Sequence, residues 1–207
     1  MYVPSHFRVD DVPTLQDVIE RHAFGILVSQ RDGAPYATHL PFHLRRGDGE
    51  RGTLYGHLAR ANPHWETFAG GDQALAIFQG EHGYVSPSWY EGAENVPTWN
   101  YVAVHAYGTP RLIDDEREVQ RVLDDLVDVY ESPRPQPWRS EVLSRDYLGR
   151  MRGAVVAFCL PIARIEGKFK LSQNRTPADR GRVIAALAAS QRAEDRALAE
   201  RMGTMSR

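Results

Sequence analysis

The sequence predicts a mainly β fold of the α+β class, an antiparallel β-barrel with helices at its C-terminal end. Two observations predict it. Runs rich in β-branched and aromatic residues alternate with Gly-rich turns through the first half of the chain. Apolar spacing of three and four residues, which is typical of helices, begins after Asp115 and again after Pro177. Antiparallel strands that follow one another can close into a barrel, which removes exposed sheet edges.

Composition sets the class of protein. The 207 residues are 42% apolar and 25% charged, as in a globular chain with its own core. We expect a barrel domain over residues 1–175 and a helical arm over 176–207 packed on it. The formal charge of -2 provides no large positive field, so it does not support a DNA partner. The longest apolar run, Gly153–Ile162, is well short of the ~20 residues that span a membrane. With no secretion signal at the N-terminus, we expect a cytoplasmic protein.

The first elements follow from local signals. A helix is predicted over Asp11–His22, where Pro13 stands near the start and the apolar residues form one stripe. Phe24–Ser29 is an apolar strand, and Asp32-Gly33 is a hairpin turn signal. The next strand, Tyr36–Leu44, alternates, with one face directed to the core.

The middle of the chain continues the sheet. We predict a polar turn over Arg45–Gly52, then a strand TLYGHL, then a short helix from Asn62 to about Ala69. A further strand is predicted over Gln73–Gly80, and it can resume at Tyr84 and Val85. An ordered loop over Ser86–Val96 follows. A long strand over Pro97–Leu112 then separates two faces. One face carries Trp99, Tyr101, Ala103, His105 and Tyr107, and the other Asn100, Val102, Val104 and Ala106.

Helices are predicted in the last third. Asp115 with Glu118 forms a capping box before an amphipathic helix that runs to Tyr130. A second short helix is predicted over Glu141–Met151. A strand region is predicted over Gly153–Leu171, with breaks at Pro161 and Gly167. From Pro177 onward the chain is predicted to be helical. Cys159, the one cysteine, lies in this apolar run, where a small buried hydrophobe is its expected role.

The common catalytic and metal motifs are not found. The sequence contains no phosphate loop, dinucleotide-binding glycine motif or nucleophile elbow, and no HExxH or CxxC spacing. His39 and His43 lie on one face of the predicted strand, but four residues of strand separate them by ~13 Å. We therefore expect no metal site and assign no catalytic residue.

Three segments can bind a ligand. Gly56–Trp65 joins a strand to a helix start, where backbone N–H groups and Arg60 favour an anion. Ordinary capping by Asn62 beside a solvated Arg60 is the alternative. Val96–Gly108 presents an aromatic face that suits a planar ring, the core or a subunit interface. Glu166–Arg175 mixes cations with amide and hydroxyl donors, with a solvated turn as its alternative.

Several unusual segments together resemble one family. Six segments occur in a fixed order over residues 1 to about 175: MYVPSHF, ATHLPFHL, GHLARANPHW, SPSWY, VPTWNYVAVHAYG and KLSQNR. They resemble the PaiB family, described as FMN-binding negative transcriptional regulators and similar to split-barrel flavoproteins of the pyridoxamine phosphate oxidase type. The resemblance implies an antiparallel split barrel, FMN as cofactor and a homodimer whose partner lies against the flavin ring.

The resemblance also implies where the cofactor lies. Its phosphate is expected near His57, Arg60 and Asn62, although split-barrel flavoenzymes commonly place a lysine where this chain has Arg60. The full set of candidate cofactor-binding residues is Thr38, His39, His57, Arg60, Asn62, Trp99, Asn100, Lys170, Gln173 and Arg175. Three functions remain open: a flavin-binding regulator, a small flavin-dependent oxidoreductase in which His105 is the one speculative acid or base, and a cofactor-free interaction module.

Overall fold

A computed structural model describes residues 1–92 and 94–205. The strands are β1 (Arg8–Val9), β2 (Phe24–Arg31), β3 (Ala34–Pro41), β4 (His43–Arg45), β5 (Thr53–Ala59), β6 (Ala74–Val85), β7 (Thr98–Gly108), β8 (Arg111–Leu112), β9 (Val155–Pro161) and β10 (Arg164–Lys170). The helices are α1 (Val12–Arg21), α2 (Glu116–Glu131), α3 (Arg145–Gly153), α4 (Pro177–Ala188) and α5 (Ala193–Thr204). Short 3-10 helices cover Ser5–Phe7, Pro63–Gly70, Pro87–Trp89 and Ser140–Val142.

The strands form two sheets. Their strand orders are β1-β10-β7-β6-β2-β3 and β4-β5-β9-β8. The pairs β1–β10, β2–β3, β2–β6, β4–β5, β5–β9 and β8–β9 are antiparallel. The predicted α+β class with antiparallel sheets is confirmed. Among the described residues both strand orders are linear, so the strands belong to two open sheets and not to one closed cylinder.

The chain divides into two compact units. The first unit contains Met1–Leu15, Gln79–Val104 and Glu166–Arg207, and the second contains Gln16–Phe78 and His105–Ile165. In the first unit β1 pairs with β10, and α4 packs against α5. The core residues of this unit include Phe169, Leu171, Val183, Leu187, Leu198 and Met202. The predicted boundary at residue 175 stays a prediction.

In the second unit the predicted hairpin is confirmed. β2 pairs with β3 from Phe24 opposite Pro41 to Arg31 opposite Ala34. The turn residues Asp32 and Gly33 both have positive φ, 52° and 77°, as a two-residue hairpin requires.

The single strand predicted over Tyr36–Leu44 is wrong, because the chain changes sheets at Phe42. The Phe42 N–H donates to the Ala23 carbonyl at 2.8 Å, and its ring packs against Phe78 and Phe158. β3 therefore ends at Pro41, and β4 begins in the smaller sheet. His39 and His43 consequently lie in different sheets, so the estimate of their separation along one strand does not apply.

Three other strand boundaries differ from the prediction. The two predicted pieces of β6 form one strand, and the predicted strand Pro97–Leu112 is two, β7 and β8. Gly167 does not break a strand but lies inside β10. A Cβ at Gly167 would lie 2.9 Å from the Val9 carbonyl oxygen, so glycine permits β1 and β10 to approach closely.

The smaller sheet carries α2 on one face. Arg45 of β4 donates to Glu118 Oε1 at 2.6 Å and to Asp125 Oδ2 at 2.8 Å, and both carboxylates belong to α2. Val122 and Leu126 of the same helix are buried. The predicted capping box is confirmed in part, because the Asp115 carboxylate accepts from the Glu118 N–H at 2.9 Å. This helix forms one wall of the site described next.

Membrane-spanning helices and metal-binding clusters are both absent from the described residues. In that part of the chain, the helices do not reach the length and apolarity needed to cross a membrane. Residues 1–92 and 94–205 contain no cluster of three or more His, Cys, Asp or Glu side chains able to hold a metal ion.

Candidate functional site

The turn that joins β5 to the 3-10 helix Pro63–Gly70 organises the candidate site. The Asn62 N–H donates to the Ala59 carbonyl at 2.8 Å, and the Trp65 indole N–H donates to the Arg60 carbonyl at 3.0 Å. Asn62 is the N-cap, since its Oδ1 accepts from the His64 N–H at 3.1 Å. We call Arg60–Trp65 the β5 turn.

Inside the second unit, the β5 turn is fixed to the hairpin by a chain of polar side chains, which we call the His64 network. Its members are Ser29, Tyr36, Thr38, Asn62, His64 and Thr67. His64 is fully buried, with Nδ1 2.8 Å from Thr38 Oγ1 and Nε2 2.8 Å from Ser29 Oγ. Ser29 Oγ lies 2.9 Å from Thr67 Oγ1. Asn62 Nδ2 donates to Thr38 Oγ1 at 3.1 Å, and Tyr36 donates to Asn62 Oδ1 at 3.4 Å.

The hydrogen-bond directions in this network fix one tautomer of His64. Thr67 donates its hydroxyl proton to the His64 carbonyl at 2.7 Å, so it accepts from Ser29. Because the Ser29 proton is then used, Ser29 Oγ must accept from Nε2–H. Nδ1 therefore carries no proton and accepts from Thr38, whose oxygen in turn accepts from Asn62. Each side-chain proton that is shared within the His64 network therefore has one acceptor.

The same surroundings keep His64 neutral. Burial removes the ring from water, and the positive charge of Arg31 opposes a second one, so the pKa of His64 falls to about 4. Near neutral pH the ring is an uncharged link between hydroxyl groups, and it does not shuttle a proton.

On its other side the β5 turn borders an open cleft of about 460 Å³. The lining comes from the β5 turn, β8 and the residues after it, α2, α3 and β9, and it comprises Arg60, Trp65, Leu112, Ile113, Asp114, Glu116, Val119, Gly149, Arg152, Gly153, Val155, Val156 and Ala157. A concave site of this size, largely aliphatic with a few converging polar groups, is typical of a small-molecule pocket.

Two cations and two carboxylates border the cleft. Arg60 donates from Nε to the Gly153 carbonyl at 2.7 Å and from Nη2 to the Val155 carbonyl at 2.9 Å. Arg152 of α3 donates weakly to Gln120 at 3.5 Å. Asp114 and Glu116 stand at the start of α2. The arginine fork therefore fastens the β5 turn to β9 and also brings a positive charge to the cleft wall.

His57 lies next to the cleft floor. It is opposite Ala157 in the β5–β9 ladder, so the two side chains share one face of the sheet. Burial lowers the pKa of His57. Among the described residues, Nδ1 of His57 is buried and has no hydrogen-bond partner. A buried polar atom of this kind is a place where a bound polar group is stabilising.

The structure thus brings together four of the five candidate residues of the second unit at the β5 turn. Thr38 and Asn62 are hydrogen-bonded in the His64 network, while Arg60 lines the cleft and His57 lies beside its floor. His39 is not with them. It is exposed, and its ring centroid is 6.4 Å from that of Phe24.

The other five candidates belong to the first unit. Asn100 is buried and donates to Ser172 Oγ at 2.9 Å, and Gln173 accepts from the Leu171 N–H at 2.7 Å. Lys170 donates to the Trp99 carbonyl at 2.6 Å. The pKa of Lys170 is lowered by burial and, to a smaller extent, by Lys168 and Arg175.

The two remaining candidates of this unit have aromatic neighbours. Trp99 is 51% exposed and stacks at 6.5 Å on His82. The Arg175 guanidinium lies 4.4 Å from the centre of the Tyr90 ring. Their assignment to the cofactor stays a prediction.

His64 and Trp65 lie in the predicted Gly56–Trp65 segment but were not singled out as site residues, and Arg152 was not predicted at all. A signal for His64 was present: Thr38 lies on the core-facing side of its strand, and a buried hydroxyl needs a partner. Arg152 had no such signal, because it reaches the cleft from a helix that is 92 positions away from Arg60 in the chain.

Comparisons with known proteins agree with this fold. Residues 1–164 match the family model described as "Putative FMN-binding domain". The chain therefore belongs to this family of FMN-binding domains, and FMN as the cofactor of the family is confirmed.

The predicted membership of the PaiB family is also confirmed. The chain is 36% identical over 202 residues to the protease synthase and sporulation protein PAI 2 of Bacillus subtilis (strain 168), covering 98% of this chain and 96% of that protein.

Solved structures share the split-barrel flavoprotein fold. The flavocytochrome Anf3 from Azotobacter vinelandii has a TM-score of 0.60 at 20% identity, covering 81% of this chain and 72% of its own. The FAD and heme binding protein from Mycobacterium smegmatis has a TM-score of 0.59 at 22% identity, covering 79% and 73%. These similarities support the fold of the chain.

Proposed function

We propose that this chain is a cytoplasmic, homodimeric negative transcriptional regulator of the PAI 2 type that holds FMN in the cleft beside the β5 turn. One observation carries the placement of the cofactor: Arg60, Arg152 and Trp65 converge on one aliphatic cleft of about 460 Å³. The regulatory role is supported by the relationship to PAI 2 along almost the whole length of both proteins.

The donor set fits the parts of FMN. The phosphate is an anion, which suits guanidinium groups: Arg152 can donate to it, while Arg60, whose Nε and Nη2 already donate to backbone carbonyls, contributes its charge. The flavin ring is planar and mostly apolar, which suits Trp65 and the aliphatic floor. The ribityl hydroxyls can donate hydrogen bonds to the carboxylates of Asp114 and Glu116.

An unpaired polar atom also lies beside the floor. His57 Nδ1 is buried beside Ala157 and outside the cleft lining, so a partner for it from the ligand would need a bridging water. When bound, FMN supplies reversible electron transfer at its ring. The chain itself supplies binding, orientation and an aliphatic floor.

Removing the Arg152 charge is expected to weaken FMN binding by roughly tenfold, because a charge-assisted contact to the phosphate is lost. The measurement is a titration of the FMN-depleted full chain with FMN, followed by flavin fluorescence, for wild type and Arg152→Gln. Arg150→Gln is the matched control. It makes the same change two positions earlier on α3, at an exposed residue outside the cleft lining. If Arg152→Gln and Arg150→Gln bind FMN with equal affinity, the placement of FMN in this cleft is wrong.

The regulatory half of the proposal has its own test. Deleting the gene is expected to raise the transcripts that the protein represses, and the wild-type chain and Arg150→Gln are expected to restore repression. Arg152→Gln should restore it poorly if repression needs bound FMN. Transcript levels that do not respond to the deletion would contradict the regulatory role. FMN-dependent oxidation of reduced nicotinamide in that case would identify a flavin oxidoreductase instead.

A further inference from the structure

We infer that His64 is a positioning residue for the FMN site, which holds the β5 turn in the shape that brings Arg60 and Trp65 to the cleft. The inference rests on the proposed function and deepens it. His64 is outside the cleft lining, so it acts through the turn and has no contact with the ligand in this assignment.

His64 holds a central position in the β5 turn. It directly precedes Trp65, and its own N–H is held by the N-cap Asn62. The two sides of the turn are therefore used differently. His64 and Asn62 bond to the hairpin strands, while Arg60 and Trp65 line the cleft. A shift of the inner side must move the outer side, because only a few peptide units connect them.

The two ring nitrogens of His64 are fixed from different strands. Ser29 belongs to β2 and Thr38 to β3, and each hydroxyl is 2.8 Å from its nitrogen. Two bonds in different directions define both the position and the rotation of a planar ring. A fully buried histidine needs partners for both ring nitrogens, and here those partners come from the two strands of the hairpin.

Thr38 connects His64 to the N-cap Asn62. Its oxygen accepts from Asn62 Nδ2 at 3.1 Å while its proton goes to His64 Nδ1. Replacing the hydroxyl by a methyl group leaves a buried ring nitrogen and an amide without partners at the same time. Such unpaired buried groups favour rearrangement of the segment that carries them.

The closing experiment compares Thr38→Val with Thr38→Ser in the full chain, titrated with FMN. Thr38→Val is expected to weaken FMN binding about tenfold, as the loss of a supporting hydrogen bond does at other sites. Thr38→Ser keeps the hydroxyl and is expected to restore binding to within about twofold of wild type.

Thr53→Val is the matched control for loss of stability. It makes the same change at a buried threonine of the second unit, whose hydroxyl donates to the Asp48 carbonyl at 2.7 Å. Unlike Thr38, this residue has no bond to the β5 turn. Thr53→Val is expected to bind FMN like wild type. An equal loss of FMN affinity in Thr53→Val and Thr38→Val would overturn the inference, because general destabilisation would then explain the loss in both variants.

Nitrogen-15 NMR of the histidine side chains adds a readout that does not depend on FMN. Wild-type His64 is expected to show protonated Nε2 and bare Nδ1, and Thr38→Val is expected to lose this fixed tautomer. Wild-type affinity in Thr38→Val, while Arg152→Gln binds weakly, overturns the positioning role alone. Wild-type affinity in both variants overturns the proposed FMN cleft and the inference with it.

Discussion

Gly108→Ala is expected to lower the free energy of unfolding by about 3 kcal/mol, the upper part of the range for overpacked buried sites. Gly108 ends β7 and is buried. A Cβ there would lie 2.8 Å from Leu160 Cδ2 and closer still to the Pro161 carbonyl oxygen. Carbon atoms pack at ~3.5–4.0 Å, so the new methyl group overlaps its neighbours.

The backbone around Gly108 has little freedom to relieve this overlap. The Ile162 N–H donates to the Gly52 carbonyl at 3.1 Å, and the Ala163 N–H donates to the Tyr107 carbonyl at 2.9 Å. The end of β9 is thus held from two directions. Moving the Pro161 carbonyl would break ladder bonds beside it, which is why the cost falls on the stability of the whole second unit.

The control for this change is Gly181→Ala. Gly181 lies inside α4, and a Cβ there meets nothing within 4 Å. Alanine is expected to raise the stability of this helix by about 0.5–1 kcal/mol, because glycine loses more backbone entropy. Urea unfolding of both variants, followed by circular dichroism, compares the two outcomes. A Gly108→Ala midpoint equal to that of wild type would show that β7 and β9 can separate without cost.

The sequence predicted the elements whose signals are local. The amphipathic stripe of α2, the Asp32-Gly33 turn and the cap at Asn62 depend on neighbours within a few residues, and all three are present. The change of sheet at Phe42 could not be predicted in this way. Leu40, Phe42 and Leu44 keep the same alternation through it, and the bond from Phe42 to Ala23 that decides it is tertiary.

The candidate site was predicted to the same extent. The Gly56–Trp65 segment indicated an anion site, and Arg60 does reach the cleft. Its fork, however, is used by two backbone carbonyls of other elements, a role that spacing in the sequence cannot show. The partners that complete the site, Arg152 and the hydroxyls around His64, come from distant segments that only the fold brings together.

Acid is expected to destabilise the chain through His64. The pKa of His64 is about 4 in the folded protein, against an ordinary value of 6.5. The unfolded chain therefore binds more protons, and stability rises with pH between these values. This contribution is fully present above pH 6.5 and is lost as the pH falls towards 4. The full difference corresponds to about 3 kcal/mol, and about 2 kcal/mol of it is lost by pH 5.

The pKa of His64 is lowered first by burial, which takes the charged ring out of water, and then by the groups that surround the ring. Protonation puts a proton on Nδ1, which then faces the hydroxyl that was donating to it, so Thr38 must turn its own proton away. The new charge also stands near Arg31, which pairs with Glu66 at 3.3 Å. Both effects oppose the charged ring in the folded state and are absent when the chain is unfolded.

Urea unfolding of wild type and His64→Gln at pH 7.5 and pH 5 measures this contribution. The loss of stability between the two pH values is expected to be about 2 kcal/mol smaller in His64→Gln, because its side chain does not titrate. Burial lowers the pKa of His57 as well, so His57→Gln measures the share of that histidine separately. An identical pH dependence in wild type and His64→Gln would mean that His64 is protonated as easily in the folded chain as in the unfolded one. The single neutral tautomer assigned to the His64 network would then be wrong. If Nδ1 is protonated as easily as in the unfolded chain, it cannot be the acceptor of the Thr38 proton while Nε2–H donates to Ser29.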